Sequence, residues 1–237
     1  MTELLCLSDG YLRECDAVVV SASGKEIILD RTVFYPRGGG QPGDRGFLHP
    51  ASGSPLRVLD VFKKEGKVVH QLEAESPLGP GDRVKCVIDW ERRYRLMRMH
   101  TAAHVLGAVM HGEFGILISG NQLEENQARF DFNFPQFDKE KFELAVGKAN
   151  EALSRGIGLR VYSLPREEAM RIPGVVKLAG VLPPSISVLR IVEIPGVDIQ
   201  ADGGTHVRNT SEIGKIILIK LENKGKENRR IYFSLSE

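Results

Sequence analysis

The chain has no hydrophobic run long enough to cross a bilayer. Its longest apolar stretches, such as Val18 to Val20 and Ile216 to Ile219, fall far short of the ~20 residues a membrane helix needs. No membrane partner is expected. Cysteine is scarce: Cys6, Cys15 and Cys86 are the three in 237 residues, and no two form a CxxC. An odd, widely spaced set argues against a disulfide framework and is compatible with a reducing cytosol, so a cytoplasmic location is expected. Met1 to Cys6 lacks a basic stretch followed by an apolar one, so no signal peptide is expected. Charge of one sign is also lacking. Lys plus Arg number 32 against 31 Asp plus Glu, a net charge of +1, so bulk charge does not announce a nucleic-acid partner. Such a partner would need a local basic face.

What is present is ordinary globular composition, 42% hydrophobic and 27% charged, in a length that suits two modest domains. The first ~90 residues read as strands separated by turn residues. Asp16 to Ser21 and Lys25 to Leu29 flank a short Ala-Ser-Gly loop, Arg57 to Phe62 and Val68 to Leu72 flank a charged one, and Arg83 to Ile88 follows Pro80-Gly81-Asp82. A small barrel or compact sheet is expected over residues 1–89. From Asp89, a plausible N-cap, the pattern turns helical: Leu96, Met99, Ala103, Leu106 and Met110 recur at three- and four-residue steps, and Gly112 is the expected stop. A strand over Phe130 to Phe134 comes next, then a helix capped by Asp138 and ended by Gly156. Strands over Arg160 to Leu164 and Ser187 to Glu193 follow, then a hairpin of Ile213 to Leu221 and Arg230 to Leu235. The expected fold class is α+β, with a second domain over residues 90–237.

His100 and His104 stand four residues apart on the expected helix, a spacing that stacks two imidazoles on one face where they can share a metal ion. The pair alone is a weak signal, since HxxxH also arises as surface or core histidine. Histidine is concentrated, however. The chain has six, and another, His206, closes the segment Asp198-Ile-Gln-Ala-Asp202-Gly203-Gly204-Thr205-His206. Two glycines let the backbone turn and approach a ligand, with Asp202 and His206 at either end. The same segment also reads as a glycine loop whose aspartate caps a turn and whose histidine is incidental.

Four motifs in order carry a resemblance. His100-Thr-Ala-Ala-His104 resembles the HxxxH of the alanyl-tRNA synthetase editing domain and its free-standing AlaX relatives. Asp202-Gly-Gly-Thr-His206-Val-Arg-Asn-Thr210-Ser-Glu212-Ile213-Gly214 resembles the family's second motif, CGGTHVxxTxEIG. Arg129-Phe-Asp-Phe132 matches the strand after the first helix. Phe34 to Gly46 resembles the glycine-rich element of the preceding β-domain. The resemblance spans nearly the whole chain, and no aminoacylation domain is expected upstream. It therefore implies the medium-length form that edits in trans, with a barrel-like domain followed by an editing domain of the threonyl/alanyl-tRNA synthetase type.

The family's usual cysteine is Asp202 here. A carboxylate can ligate zinc, though it is a harder donor than thiolate. Either Asp202 completes the coordination, or three histidines bind Zn2+ and Asp202 hydrogen-bonds a water or a histidine N–H. The second arrangement is slightly preferred. The resemblance implies hydrolysis of the ester on tRNA(Ala) mischarged with serine, or to a lesser extent glycine, while Ala-tRNA(Ala) is spared. Asp202 and Thr205 are the candidate catalytic residues. Thr101, Ser119, Asn121 and Gln122 are candidates for contacting the substrate, although the last three also read as a polar turn. Arg37, Gly38, Gly39, Gly40, Gln41 and Arg45 read either as a tRNA-contacting loop or as a β-domain loop that needs positive φ. Arg92, Arg93, Arg95 and Arg98 read as a solvated face or as a place to meet phosphate. HxxxH lacks the glutamate of HExxH, which disfavours a zincin-type protease. The rival functions are a tRNA-binding module altered in catalysis and a metal-dependent hydrolase of another ester.

Overall fold

A computed structural model describes residues 2–133, 138–175, 186–225 and 228–236. The chain divides into two compact units, Met1–Leu96 and Met97–Glu237.

The first unit contains β1 (Glu3–Leu4), α1 (Leu5–Ser8), β2 (Glu14–Ser23), β3 (Glu26–Leu29), β4 (Arg31–Thr32), β5 (Gly46–Pro50), β6 (Leu56–Lys64), β7 (Lys67–Leu72) and β8 (Arg83–Ile88). Six of these strands close a barrel in the order β2-β3-β7-β6-β5-β8, and β8 pairs antiparallel with β2 to seal it. Closure removes the free edges that a small open sheet would present. The strands alternate, so Val19, Leu29, Leu48, Val58, Val61, Leu72, Val84 and Cys86 fill the interior. The charged loop joining β6 and β7 turns through Glu65 and Gly66, at φ 52° and 75°, as a two-residue hairpin demands. The expected barrel is therefore present, with both hairpins and Arg83–Ile88 as strands.

Helix α2 (Trp90–Phe114) begins where the sequence places its cap: Arg92 N donates to Asp89 Oδ1 at 3.1 Å. It passes through Gly112, the expected stop, and ends at Gly115 (φ 67°), whose N–H reaches His111 O at 2.8 Å. A glycine in helical conformation costs about 1 kcal/mol against alanine but does not break a helix; the left-handed residue does. The expected stripe Leu96, Met99, Ala103, Leu106 and Met110 is buried, and so are Met97, Ala102 and Val105. The helix is thus enclosed over more than one face.

The second unit continues with β9 (Ile118–Leu123), β10 (Ala128–Asn133), α3 (Lys139–Ser154), β11 (Arg160–Pro165), α4 (Arg166–Ala169), β12 (Val188–Ile194), β13 (Asp198–Ala201), a 3-10 turn (Thr210–Glu212), β14 (Ile216–Asn223) and β15 (Asn228–Leu235). These strands form a four-stranded sheet, β14-β15-β10-β9, and a three-stranded one, β11-β12-β13. Phe130, Phe132, Phe142 and Phe233 pack ring to ring between the first sheet and α3. Asp138 caps α3 by accepting from Lys141 N at 3.2 Å, and Gly156 (φ 63°) follows its end. The hairpin starts at Ile216 rather than Ile213, because Asn209 and Glu212 form a capping box that draws Thr210–Glu212 into a turn. Phe134, the expected last residue of its strand, lies outside the described residues, as does part of the final hairpin loop. Among the described residues no helix is long and apolar enough to cross a membrane.

Candidate metal centre

Helical spacing brings His100 and His104 to one face of α2, their ring centroids 5.1 Å apart. The loop leaving β13 carries Asp202, Gly204 and His206 onto that pair. His206 lies 4.4 Å from the His100 ring and 4.7 Å from the His104 ring, centroid to centroid. One ligand atom from each of His100, His104, Asp202 and His206 lies within 4.8 Å of the others. This is the only such cluster among the described residues.

The loop can come so close because residue 204 has no side chain. A Cβ there would sit 2.1 Å from His100 Cε1. At Gly203 a Cβ would meet nothing within 4 Å, so the two glycines are not equivalent. Arg190 on β12 anchors the loop from below, its Nη1 donating to the carbonyls of Asp202 and Gly204 at 3.0 Å each.

Hydrogen bonds behind the rings fix which nitrogen faces the centre. His104 Nδ1 is 3.0 Å from Asp198 Oδ2, and a carboxylate only accepts, so Nδ1 carries the proton and the Nε2 lone pair points inward. Gln200 Nε2 donates to the same carboxylate oxygen at 2.9 Å. The Thr101 hydroxyl donates to Met97 O at 2.9 Å, and its oxygen accepts from Val207 N and His206 Nδ1, each at 3.2 Å. Both ring nitrogens of His206 therefore face acceptors, the Thr101 oxygen at Nδ1 and Asp202 Oδ2 at Nε2, so Nε2 is a lone pair only where a cation replaces its proton. The Asp202 carboxylate faces this set, with Oδ2 2.9 Å from His206 Nε2 and Oδ1 3.7 Å from His100 Nε2 and 4.0 Å from His104 Nε2.

Burial drives His100 and His206 toward the neutral form that ligates metal. It holds His100 well below the usual range and lowers His206 to about 4. Burial opposes charge on Asp202 as well, but the facing histidines outweigh it and hold that carboxyl well below its ordinary range. Gly204 N also donates to Asp202 Oδ2 at 2.6 Å. A carboxylate and imidazole lone pairs facing one another are mutually repulsive unless a cation lies between them. Two donors each about 2.1 Å from a tetrahedral ion lie roughly 3.4 Å apart, and the separations from Asp202 bracket that value. The donor set thus fits a zinc-like ion.

The other expected site residues are placed differently. Thr101 is buried, and its one proton and two lone pairs are all used in supporting His206 and the loop. Thr205 is fully buried between Gly204 and His206. Ser119, Asn121 and Gln122 do not form a turn. They lie on β9, the sheet's edge strand, where Asn121 pairs with Phe130 and Gln122 with Arg129. Pairing with β10 overrides the turn-like composition of this stretch.

In the barrel unit, Gly38 to Gln41 closes a tight turn, with the N–H of each end residue donating to the other's carbonyl at 3.0 Å. Gly39 and Gly40 supply its φ values of 60° and 86°. Gln41 is buried, Arg37 pairs with Asp60 at 3.1 Å, and Arg45 Nε donates to Leu59 O. The positive-φ reading of these glycines is thereby met. The arginine cluster is not one solvated face. Arg93 is fully buried against Asp44 and the carbonyls of Gly10 and Val33, and Arg92 donates to Gly43 O. Arg98 donates to Ile213 O and Ser236 O, which leaves Arg95 exposed.

The supporting residues that the sequence reading missed are Asp198, Gln200 and Arg190. The available signal was two polar side chains two apart in β13, which places both on one face of a strand.

Comparison with known proteins agrees with this architecture. Residues 189–232 match the family model described as the threonyl and alanyl tRNA synthetase second additional domain, and residues 8–92 match that of the class II (A) tRNA synthetases. The chain is 47% identical to the alanyl-tRNA editing protein AlaX-M of Saccharolobus solfataricus, over 99% of both chains. It is 45% identical to the AlaX-M of Methanosarcina mazei, over 99% of this chain and 97% of the relative. It is 40% identical to the alanine–tRNA ligase of Staphylothermus marinus, over 93% of this chain but 24% of the ligase. With its barrel, its four-donor cluster and this full-length similarity, the chain belongs to the AlaX-M family of alanyl-tRNA editing proteins.

Proposed function

We propose that this protein is a zinc-dependent deacylase that acts in trans on tRNA(Ala) mischarged with serine, and to a lesser extent with glycine, and spares Ala-tRNA(Ala). Alanyl-tRNA editing follows from the family. The observation that supports metal dependence is the cluster of His100, His104, Asp202 and His206, with His104 and His206 each held through Nδ1 so that Nε2 faces the other donors.

A zinc ion held there supplies either a Lewis acid for the ester or an anchor for the substrate's amino group. The protein's own residues do the rest. Asp198 and Thr101 orient His104 and His206, Arg190 fixes the Gly204 loop, and Asp202 is the fourth donor in place of the family's cysteine. Thr205, fully buried next to His206, is proposed to offer its hydroxyl to the reacting ester. Discrimination against alanine needs a group that bonds the serine hydroxyl, because leaving a site's polar group unpaired penalises the smaller substrate strongly. Ser119, Asn121 and Gln122 are the polar side chains proposed for that task. Arg37, Arg45 and Arg95 are proposed to meet phosphate, Gly38 to Gln41 shaping the turn beside Arg37. The working compartment is the cytoplasm, where charged tRNA is found.

Deacylation of Ser-, Gly- and Ala-tRNA(Ala), with and without a chelator, tests the proposal. Rapid loss of serine, slower loss of glycine, retention of alanine and recovery on adding zinc back are expected. A zinc-loaded protein that leaves Ser-tRNA(Ala) intact overturns it in favour of a binding module or another ester.

A further inference from the structure

Two of the three cysteines, 71 positions apart in sequence, are directly opposed in the barrel: Cys15 on β2 pairs in register with Cys86 on β8. Directly opposed residues of antiparallel strands have Cα atoms about 4.5–5.5 Å apart, inside the roughly 4.4–6.8 Å span a disulfide bridges. Their side chains share one face of the two-stranded ladder. Cys86 is fully buried in the core, whereas Cys15 is half-buried at its margin. Cys6 is engaged elsewhere, its Sγ donating to Phe34 O at 3.8 Å.

We infer that Cys15 and Cys86 form a reversible disulfide that welds the seam where β8 closes the barrel onto β2. Cys15 is the attacking group because it is the more accessible. The neighbouring Cys86 and the Val33 backbone lower its pKa against the opposing effect of burial, whereas Cys15 and burial push Cys86 up. The oxidant is a small-molecule disulfide. The Cys15 thiolate displaces one half of it as thiolate and forms a mixed disulfide. Cys86 sulfur then attacks Cys15 sulfur and expels the second half, which leaves as thiol with the proton from Cys86. Two protein thiols are oxidised, one small disulfide is reduced to two thiols, and no other reactant enters. A cross-link between residues so far apart in sequence restricts the unfolded chain strongly, so the oxidised form is the more heat-resistant one.

The test exposes the full-length protein to oxidised glutathione and then maps it by mass spectrometry under non-reducing conditions. The expected product is lighter by two hydrogens, has one free thiol instead of three after denaturation, and contains a Cys15 peptide joined to a Cys86 peptide. Its Tm rises by several degrees, and dithiothreitol reverses the rise. Cys15→Ala abolishes both the link and the shift, and Cys86→Ser retains glutathione on Cys15. Three thiols left after treatment, a lasting glutathione adduct on the parent, or a link involving Cys6 or a second chain overturns the inference. If Cys86→Ser does not fold, the parent's peptide map decides alone.

Discussion

Asp198 and His104 form a carboxylate–imidazole pair, Oδ2 to Nδ1 at 3.0 Å, behind the metal-facing side of the ring. The contact fixes the tautomer and raises the ring's basicity toward a metal, and such supports are worth about 10–100-fold in metal affinity. Asp198→Asn is therefore expected to weaken zinc binding by about that factor, measured by competition with a chromophoric chelator. Gln200→Leu, which removes one bond to the Asp198 carboxylate, is expected to do less. An Asp198→Asn protein with the parent's affinity would remove Asp198 from the site.

Asp202 stands where the family motif has cysteine. With its oxygens 2.9–4.0 Å from all three histidine Nε2 atoms, it is expected to ligate directly. Asp202→Ala should lose at least as much affinity as Asp198→Asn, whereas Asp202→Cys should keep stoichiometric zinc and deacylation. X-ray absorption of the cobalt-substituted Asp202→Cys protein should show one sulfur ligand. Equal metal affinity for Asp202→Ala and the parent would return Asp202 to a hydrogen-bonding role.

What could be read from the sequence followed from how local the cause was. The Asp89 and Asp138 caps, the β6–β7 turn and the HxxxH face depend on neighbours within a few residues, and all were legible. Arg93 was not. In sequence it is one of four arginines near a helix start, and only the fold brings Asp44 and two distant carbonyls around its guanidinium. Asp198 was missed for the same reason, since its partner is 94 residues away. Ser119 to Gln122 carry turn-like residues whose strand state is imposed by β10.

Arg93 also yields a stability prediction. Removing one member of a buried ion pair strands the other, at a cost of about 3–5 kcal/mol. Arg93→Met is expected to destabilise the barrel unit by that amount in urea, followed by the fluorescence of Trp90, the single tryptophan. Arg93→Met combined with Asp44→Leu should cost less than Arg93→Met alone. A larger loss in the double variant would mean that the carbonyl contacts of Arg93 outweigh its charge pair.

His70 makes barrel stability pH-dependent. Its Nδ1–H donates to Ile27 O at 3.2 Å and its Nε2 meets the Thr32 hydroxyl at 2.9 Å, while burial lowers its pKa to about 4. The unfolded value is near 6.5, so between about 4 and 6.5 the unfolded chain binds the extra proton. The contribution is complete above about pH 6.5 and is lost as pH falls toward about 4, roughly 3 kcal/mol in all. The penalty of His70→Gln in urea should therefore be larger at pH 7.5 than at pH 4.5. A penalty independent of pH would show that His70 does not titrate within the fold.

Gly203 and Gly204 separate two reasons for having glycine in the loop. A Cβ at residue 203 meets nothing within 4 Å, so Gly203→Ala should bind zinc and deacylate as the parent does. A Cβ at residue 204 lies 2.1 Å from His100 Cε1, 2.4 Å from His100 Nδ1 and 3.0 Å from Asp202 Oδ2. Either His100 rotates out of the cluster or the loop lifts and takes His206 with it. Both remove a ligand, so Gly204→Ala should lose more than tenfold in zinc affinity and deacylate little, while circular dichroism and Trp90 fluorescence stay unchanged. Were Gly203→Ala the damaging change instead, the loop would depend on backbone freedom rather than on close approach to His100, and the packing that assembles the four donors would have to be redrawn.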